Sequence, residues 1–409
     1  MKHNWEYKPV SEIFDTVTDF VAAGSFADLR ENVIYNNERD YAQLIRTTDL
    51  KNNFSNSQFV YVNEHAFNYL WRVNLAEECI ILPNIGNCGE VYYLHPSMLI
   101  YQNNVLGPNA IMVRSKKHNH KYLAFALKGN YFQRQLFQIV SQVAQSKFNK
   151  TNLKKLLVPV PSLEVQEQIV AELDKINEVI ADCRELLRNL DALAQSLYNN
   201  YFGDYYNDNY YFKPIKEVFD TITDFVAAGS FASLRENVIY KECPNYAQLV
   251  RTMDIKSNFT KGQFVYVDKH AFDFLWRVNL NSECIILPNI GVNCGEVYYI
   301  HPSMLKYQNN VLGPNAILIR SSRFNHQFLS FALKNNDFQQ QLSKVTSQVA
   351  QPKFNKTNLK ELYILLPPLA LQEKFAARIE QIEEQKKAVE QTIAELQTLL
   401  DSRMDYWFN

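Results

Sequence analysis

Phe14-Asp15-Thr16-Val17-Thr18-Asp19-Phe20-Val21-Ala22-Ala23-Gly24-Ser25-Phe26-Ala27-Asp28-Leu29-Arg30-Glu31-Asn32-Val33-Ile34-Tyr35 returns 205 positions later as Phe219 to Tyr240, with only Val17 changed to Ile222 and Asp28 to Ser233. The match continues outward. Trp71-Arg72-Val73-Asn74-Leu75 recurs as Trp276 to Leu280, and Pro83-Asn84-Ile85-Gly86 as Pro288 to Gly291. One inserted residue, Val292, then moves the offset to 206, which holds through Gly107-Pro108-Asn109-Ala110 (Gly313 to Ala316) and Lys147 to Thr151 (Lys353 to Thr357). A period this long is no solenoid repeat; each copy is expected to be a whole domain with an appendage.

The appendage has its own signature. Apolar side chains recur at steps of four and three, Ile169, Leu173, Ile176, Ile180, Cys183, Leu187, Leu190, Ala194, Leu197 and Tyr201, the seam of a coiled-coil helix. Its counterpart reads Phe375, Ile379, Ile382, Lys386, Val389, Ile393, Leu396, Leu400, Arg403, Trp407, with two seam positions turned basic. The first seam spans about 48 Å at roughly 1.5 Å per residue. Pro159, Pro161, Pro367 and Pro368 mark the helix starts. A heptad also fits a core helix or a homodimer zipper. Two seams of equal length separated by a folded domain favour pairing with each other, so an intramolecular antiparallel pair is expected.

Within each globule the texture is mixed. Ser57 to Val62 alternates as a strand, Ala76 to Leu82 ends in a buried strand, and His120 to Gln138 has helical spacing. Gly24, Gly86, Gly89 and Gly107 punctuate loops. The expected fold class is α+β: a first globule over 1–163, a helical spacer over 164–205, a second globule over 206–369 and a second spacer over 370–409, with pseudo-two-fold organisation.

A formal charge of -1 conceals a polarity. Residues 164–204 carry nine Asp/Glu against three Lys/Arg, and residues 370–409 eight against five. Removing both from the chain's 42 basic and 43 acidic residues leaves 34 against 26. The globules are therefore net basic by about eight, which suits an approach to phosphates. No apolar run reaches the ~18 to 20 residues of a membrane span, and Met1-Lys2-His3-Asn4-Trp5-Glu6 lacks the apolar stretch of a signal peptide. A soluble cytoplasmic protein with six reduced cysteines is expected.

Catalytic machinery is missing from the sequence: no P-loop, no Asn-Pro-Pro-aromatic methylation motif and no glycine-rich cofactor turn. Cys79 and Cys88, with their copies Cys284 and Cys294, are too few and too widely spaced for structural zinc. His65 and His95, recurring as His270 and His301, read as ordinary polar residues. What recurs instead is a set of basic and amide residues on expected loops. Arg30/Arg235 follows the Gly24-Ser25-Phe26-Ala27 turn, Arg46-Thr47 returns as Arg251-Thr252, and Arg72 as Arg277. Lys147, Asn149 and Lys150 precede the first helix as Lys353, Asn355 and Lys356 precede the second. Arg pairs with guanine, Asn with adenine, and Lys serves phosphate.

Asp19 to Ala27, Pro83 to Gly86, Gln351 to Thr357 and Leu366-Pro367-Pro368-Leu369, in this order and each copy followed by a heptad helix, resemble the specificity subunits of type I restriction-modification systems over essentially the whole chain. The resemblance implies two target-recognition domains alternating with helical spacers and a subunit that reads double-stranded DNA without catalysis. It implies two modification subunits that bring S-adenosylmethionine and methylate adenine, and restriction subunits that join for cleavage. Cofactors, including ATP and magnesium, belong to those partners; none is expected here. With Ser25/Ser230 and Asn84/Asn289 from the matching motifs, the basic and amide residues above form the candidate DNA-contacting set. In the family the recognition domains usually differ and the spacers resemble each other. Here the globules are near-identical and the helices have drifted, so two equal readers are expected to take an inverted-repeat target, held about one DNA turn apart, roughly 34 to 36 Å. A coiled-coil adaptor with protein-binding globules, and a recognition module for another modification enzyme, remain open on these residues.

Overall fold

The computed structural model describes residues 4–55, 58–141, 146–208, 211–260, 262–347 and 350–409; Ser57 lies outside them. The chain divides into two units, Met1–Arg184 with Glu390–Asn409, and Glu185–Val389.

Among its described residues the first unit contains nine strands: β1 (Glu6–Pro9), β2 (Thr16–Asp19), β3 (Ala42–Ile45), β4 (Val60–Val62), β5 (Cys79–Pro83), β6 (Tyr92–Leu94), β7 (Asn104–Leu106), β8 (Ala110–Arg114) and β9 (Leu157–Val160). They form an antiparallel sheet β2-β8-β5-β6, a mixed sheet β4-β3-β7 whose β3 and β7 are parallel, and a β1-β9 pair. The run Cys79–Pro83 is buried throughout because both faces of its sheet are covered. Ile80, Leu82, Ile111 and Val113 face one apolar cluster, while Cys79, Ile81, Ala110 and Met112 face another. The first cluster carries the long helix; the second supports the loops.

The second unit repeats this arrangement in β10 (Phe212–Pro214), β11 (Thr221–Asp224), β12 (Ala247–Val250), β13 (Val265–Val267), β14 (Cys284–Pro288), β15 (Tyr298–Ile300), β16 (Asn310–Leu312), β17 (Ala316–Arg320) and β18 (Tyr363–Leu365). Its sheet orders, β11-β17-β14-β15 and β13-β12-β16, are those of the first unit.

The two spacers are helices of 40 residues each, Leu163–Phe202 and Leu369–Phe408, about 60 Å long. No seam position named from the sequence is exposed. In the first unit, Glu172, near the start of the first helix, meets Arg403, near the end of the second. In the second unit, Asp191 of the first helix meets Lys386 of the second at 2.8 Å. The helices are therefore packed together antiparallel, and the two basic seam residues are matched by carboxylates of the opposite helix.

Two local expectations shift. The seam reading ends on Tyr201 and Trp407, but the fully buried side chains at the helix ends are their neighbours Phe202 and Phe408, with Tyr198. An α-helix of 3.6 residues per turn drifts from a 3.5 repeat, and the last turns pack on a globule as well as on the partner helix. Phe202 packs on Phe328 and Phe375, and Phe408 on Tyr122. The helical stretch His120 to Gln138 is two helices, His120–Lys128 and Asn130–Ile139, parted by Gly129 in an extended conformation. A Cβ at Gly129 would overlap Phe408. The break makes the seat for the end of the second helix.

The Glu172 carboxylate accepts from Nε and Nη2 of the Arg403 guanidinium and from the Trp407 indole N–H at 3.1 Å, and these bonds, Arg403 first, hold it below the usual carboxylate range. A carboxyl lowered in the folded state stabilises fully above its ordinary range, and that stability is lost as pH falls through the lowered value. Arg403→Glu is expected to lower Tm by roughly 3–6 °C at neutral pH, and Glu172→Arg combined with Arg403→Glu to recover most of it. A double variant as unstable as the sum of the single ones would rule out the pairing.

Candidate nucleic-acid interface

Asp19 ends β2, and the chain then turns through Phe20–Ala23 to Ser25, which caps the helix Phe26–Asn32. Ser25 and Asp28 bond reciprocally, fixing the first turn of that helix. The helix leaves Phe26 76% exposed, with Arg30 exposed on the same element, while Leu29 and Val33 anchor it to the core. Between this helix and the ends of β5 and β8 lies a cleft of about 410 Å3, bordered by Asp19, Phe26, Arg30, Tyr35, Asn84 and Asn109.

The cleft floor is pinned by the backbone. Asn109 sits at φ 71, a left-handed position that asparagine tolerates, and its carbonyl accepts the Asn84 N–H at 3.0 Å. The Asn84 amide donates to the Phe148 carbonyl at 3.2 Å, and the Phe148 N–H donates to the Asn84 carbonyl. Lys150 closes the set, its ammonium 2.7 Å from Asp19. Asn149 caps the short helix Lys150–Leu153 through the Asn152 N–H, and Lys147 stands exposed in a bridge to Ile85. The fold thus brings Ser25, Arg30, Asn84, Lys147, Asn149 and Lys150 to one region from separate segments. Among the described residues, neither Arg30 nor Lys147 has an ion-pair partner.

Three other candidates stand differently. Arg46 gives two guanidinium bonds to Asp49, 3.0 and 2.8 Å, and one to the Gln58 carbonyl at 2.7 Å; Asp49 is fully buried. The Asp49 bond raises the Arg46 pKa further. Arg46 is a tie between a strand end and a loop, and Thr47 opens the helix Thr47–Lys51 beside it. Arg72 stacks on the exposed Trp71 at 5.1 Å and donates to the Ala22 carbonyl at 3.1 Å, so it braces the turn behind the cleft.

These features are doubled except the reciprocal half of the Ser25 cap, since Ser233 stands where Asp28 does. The second cleft, about 580 Å3, has the same residue types: Asp224, Phe231, Arg235, Tyr240, Asn289 and Asn315 occupy the equivalent positions. Ser230 caps its helix, Asn289 bonds Phe354, Asn355 caps Lys356–Lys360, and Lys356 lies 2.7 Å from Asp224, with Lys353 exposed alongside. Arg251 is tied to Asp254 ahead of the helix opened by Thr252, and Arg277 donates to the Ala227 carbonyl.

The sequence reading missed Phe26, Tyr35, Asn109 and Asp19, with their copies. The signal was present, since all but Asn109 lie at or within the most faithfully repeated stretch. His65 and His270 bond Asn32 and Asn237, and His95 and His301 cap short turns. Burial pushes the Cys79 and Cys284 thiols up to about 12. Among the described residues no His, Cys, Asp and Glu side chains cluster in a way that would hold a metal, and no helix is long and apolar enough to cross a membrane.

The family described as Type I restriction modification DNA specificity domain matches residues 2–188 and 207–398. A protein described as a specificity subunit of the type I restriction enzyme MjaX, from Methanocaldococcus jannaschii, is 22% identical over 209 residues; the match covers 49% of this chain and 45% of that relative's length. Among solved structures, the type I restriction-modification S subunit from M. genitalium aligns over 99% of this chain and 96% of its own, with a TM-score of 0.52 and 14% identity. A chain from a structure of complex assembly and conformational transition in the type I system aligns over 99% and 97%, with a TM-score of 0.52 and 13% identity. At these identities the structural likeness speaks for the fold.

The two kinds of arginine separate by experiment. Arg46→Ala removes two bonds from a buried carboxylate and is expected to cost on the order of 2 kcal/mol of stability. Arg30→Ala is expected to leave Tm within about 1 °C and to weaken retention on DNA. Calorimetry with a DNA-binding titration checks both, and a large Tm loss for Arg30→Ala would make it a structural residue.

Proposed function

The chain belongs to the type I restriction-modification DNA specificity family, and from that premise we propose that it is the non-catalytic reading subunit of such a complex. It engages double-stranded DNA through the two clefts and directs partner subunits to the site it occupies. The observation that carries this is the doubled cleft, with matching residue types in both copies and an arginine at each rim that has no ion-pair partner among the described residues. Two equal readers take equal half-sites, so the target is an inverted repeat around an unread spacer, and the paired helices set that spacer. The net basic globules supply the phosphate attraction, and the acidic helices stay away from the backbone.

In this reading two modification subunits bring S-adenosylmethionine and methylate adenine, and restriction subunits with ATP and magnesium join for cleavage, in the cytoplasm. This chain supplies Arg30, Arg235, Asn84 and Asn289 at the clefts and Lys147 and Lys353 beside them. Lys150 and Lys356 serve by neutralising Asp19 and Asp224, which would otherwise repel phosphate.

Coexpression with its modification subunit, followed by single-molecule sequencing of methylated adenines, is expected to give a motif whose half-sites share their core bases in inverted order at a fixed spacing. Half-sites with different core bases would keep the reading role and sink the equality of the readers. Absence of both methylation and salt-sensitive DNA retention would favour the coiled-coil adaptor instead.

A further inference from the structure

The clefts match in residue type, yet the loop leaving each one does not match in length. In the first copy the chain runs Asn84-Ile85-Gly86-Asn87-Cys88-Gly89; in the second it runs Asn289-Ile290-Gly291-Val292-Asn293-Cys294-Gly295. Val292 is the inserted residue, two positions beyond the cleft-lining Ile290, and it is 96% exposed.

The longer loop is held at both ends. The Gly291 N–H donates to the Pro352 carbonyl at 3.0 Å, and the Gly295 N–H to the Pro288 carbonyl at 2.9 Å. Both glycines have positive φ, 98° and 90°, which turns the chain out and back. Lys256 bonds Asn293 at 2.9 Å and Glu296 at 2.8 Å, bracing the return limb. From Gly291 to Val297 every residue except Val292 is at least half-buried. A branched apolar side chain with few rotamers is thus presented to solvent on a braced tip beside the second reader and has no equivalent beside the first. Little ordering cost remains to be met on binding.

Resting on the DNA-reading function above, we propose that Val292 is a specificity-determining residue that contacts the 5-methyl group of one thymine in the half-site bound by the second globule. On the edges of base pairs in the major groove the thymine methyl is the apolar feature, and an aliphatic side chain complements it. The target is then an inverted repeat with one additional specified thymine on one side. This single contact gives an otherwise symmetric reader an orientation on DNA.

The test uses the complex with its modification subunits and duplexes carrying the methylated motif. Each thymine of each half-site is replaced in turn by deoxyuridine, which removes only the methyl group. For the unaltered chain, one replacement in one half-site is expected to weaken binding about fourfold, the value of one buried methyl. Val292→Ser, and deletion of Val292, are expected to abolish that sensitivity while binding otherwise persists; the first copy shows that the shorter loop is compatible with the fold. Uniform indifference to deoxyuridine, or the same sensitivity in all three proteins, would overturn the role of Val292 and leave the reading function intact. A complex that binds no duplex at all would instead overturn the reading function, and this proposal with it.

Discussion

Each unit depends on closing its apolar core with a helix end that arrives from the other sequence copy. Phe202, at the end of the helix that begins under the first copy, sits among Phe328, Phe375 and Tyr198 in the second unit. Phe408, at the end of the second helix, sits on Tyr122 in the first. Burying one such phenylalanine is worth roughly 2–3 kcal/mol, and both ends are fully enclosed. The long helices are consequently part of two cores at once, which ties their length and antiparallel direction to the integrity of the globules.

The divergence of the helices acquires a physical meaning in this light. Position 172 carries Glu where its copy, position 378, carries Arg; position 403 carries Arg where its copy, position 197, carries Leu. In the observed pair Glu172 faces Arg403. Two second helices paired in the same register would set Arg378 against Arg403, and two first helices would set Glu172 against Leu197. Pairing a first with a second helix avoids both costs, through repulsion and through burial of an unmatched carboxylate. The globules are near-identical in sequence, whereas the seams are complementary to each other.

Much of this was legible in the sequence. The near-verbatim repeat of Phe14 to Tyr35 announced two equal domains, and steps of four and three announced the helix pair. The α+β class followed from short alternating and apolar runs. What escaped was set by tertiary packing. The swing from Tyr201 to Phe202 at the helix end reflects burial in a globule, which a heptad count does not contain. Gly129 was visible inside a helical pattern, but only the fold shows that its missing side chain makes room for Phe408. Arg46 and Arg30 look alike as duplicated basic residues on loops; the fold separates them, giving one to Asp49 and leaving the other at the cleft rim. Asn109 belongs to the cleft only because the ends of β5 and β8 meet.

The central claim, that the paired helices act as a ruler between two readers, is most directly tested by lengthening the ruler without disturbing its seam. One heptad inserted after Arg184 and one after Gln391 fall at the same level of the antiparallel pair, in the register set by Glu172 with Arg403 and Asp191 with Lys386. They turn each helix by only about 20° relative to the seam and add about 10 Å. The methylated motif should keep its half-site bases while its unread spacer grows by about three base pairs, at roughly 3.4 Å each. A motif with the original spacer, from a folded protein, would contradict the account.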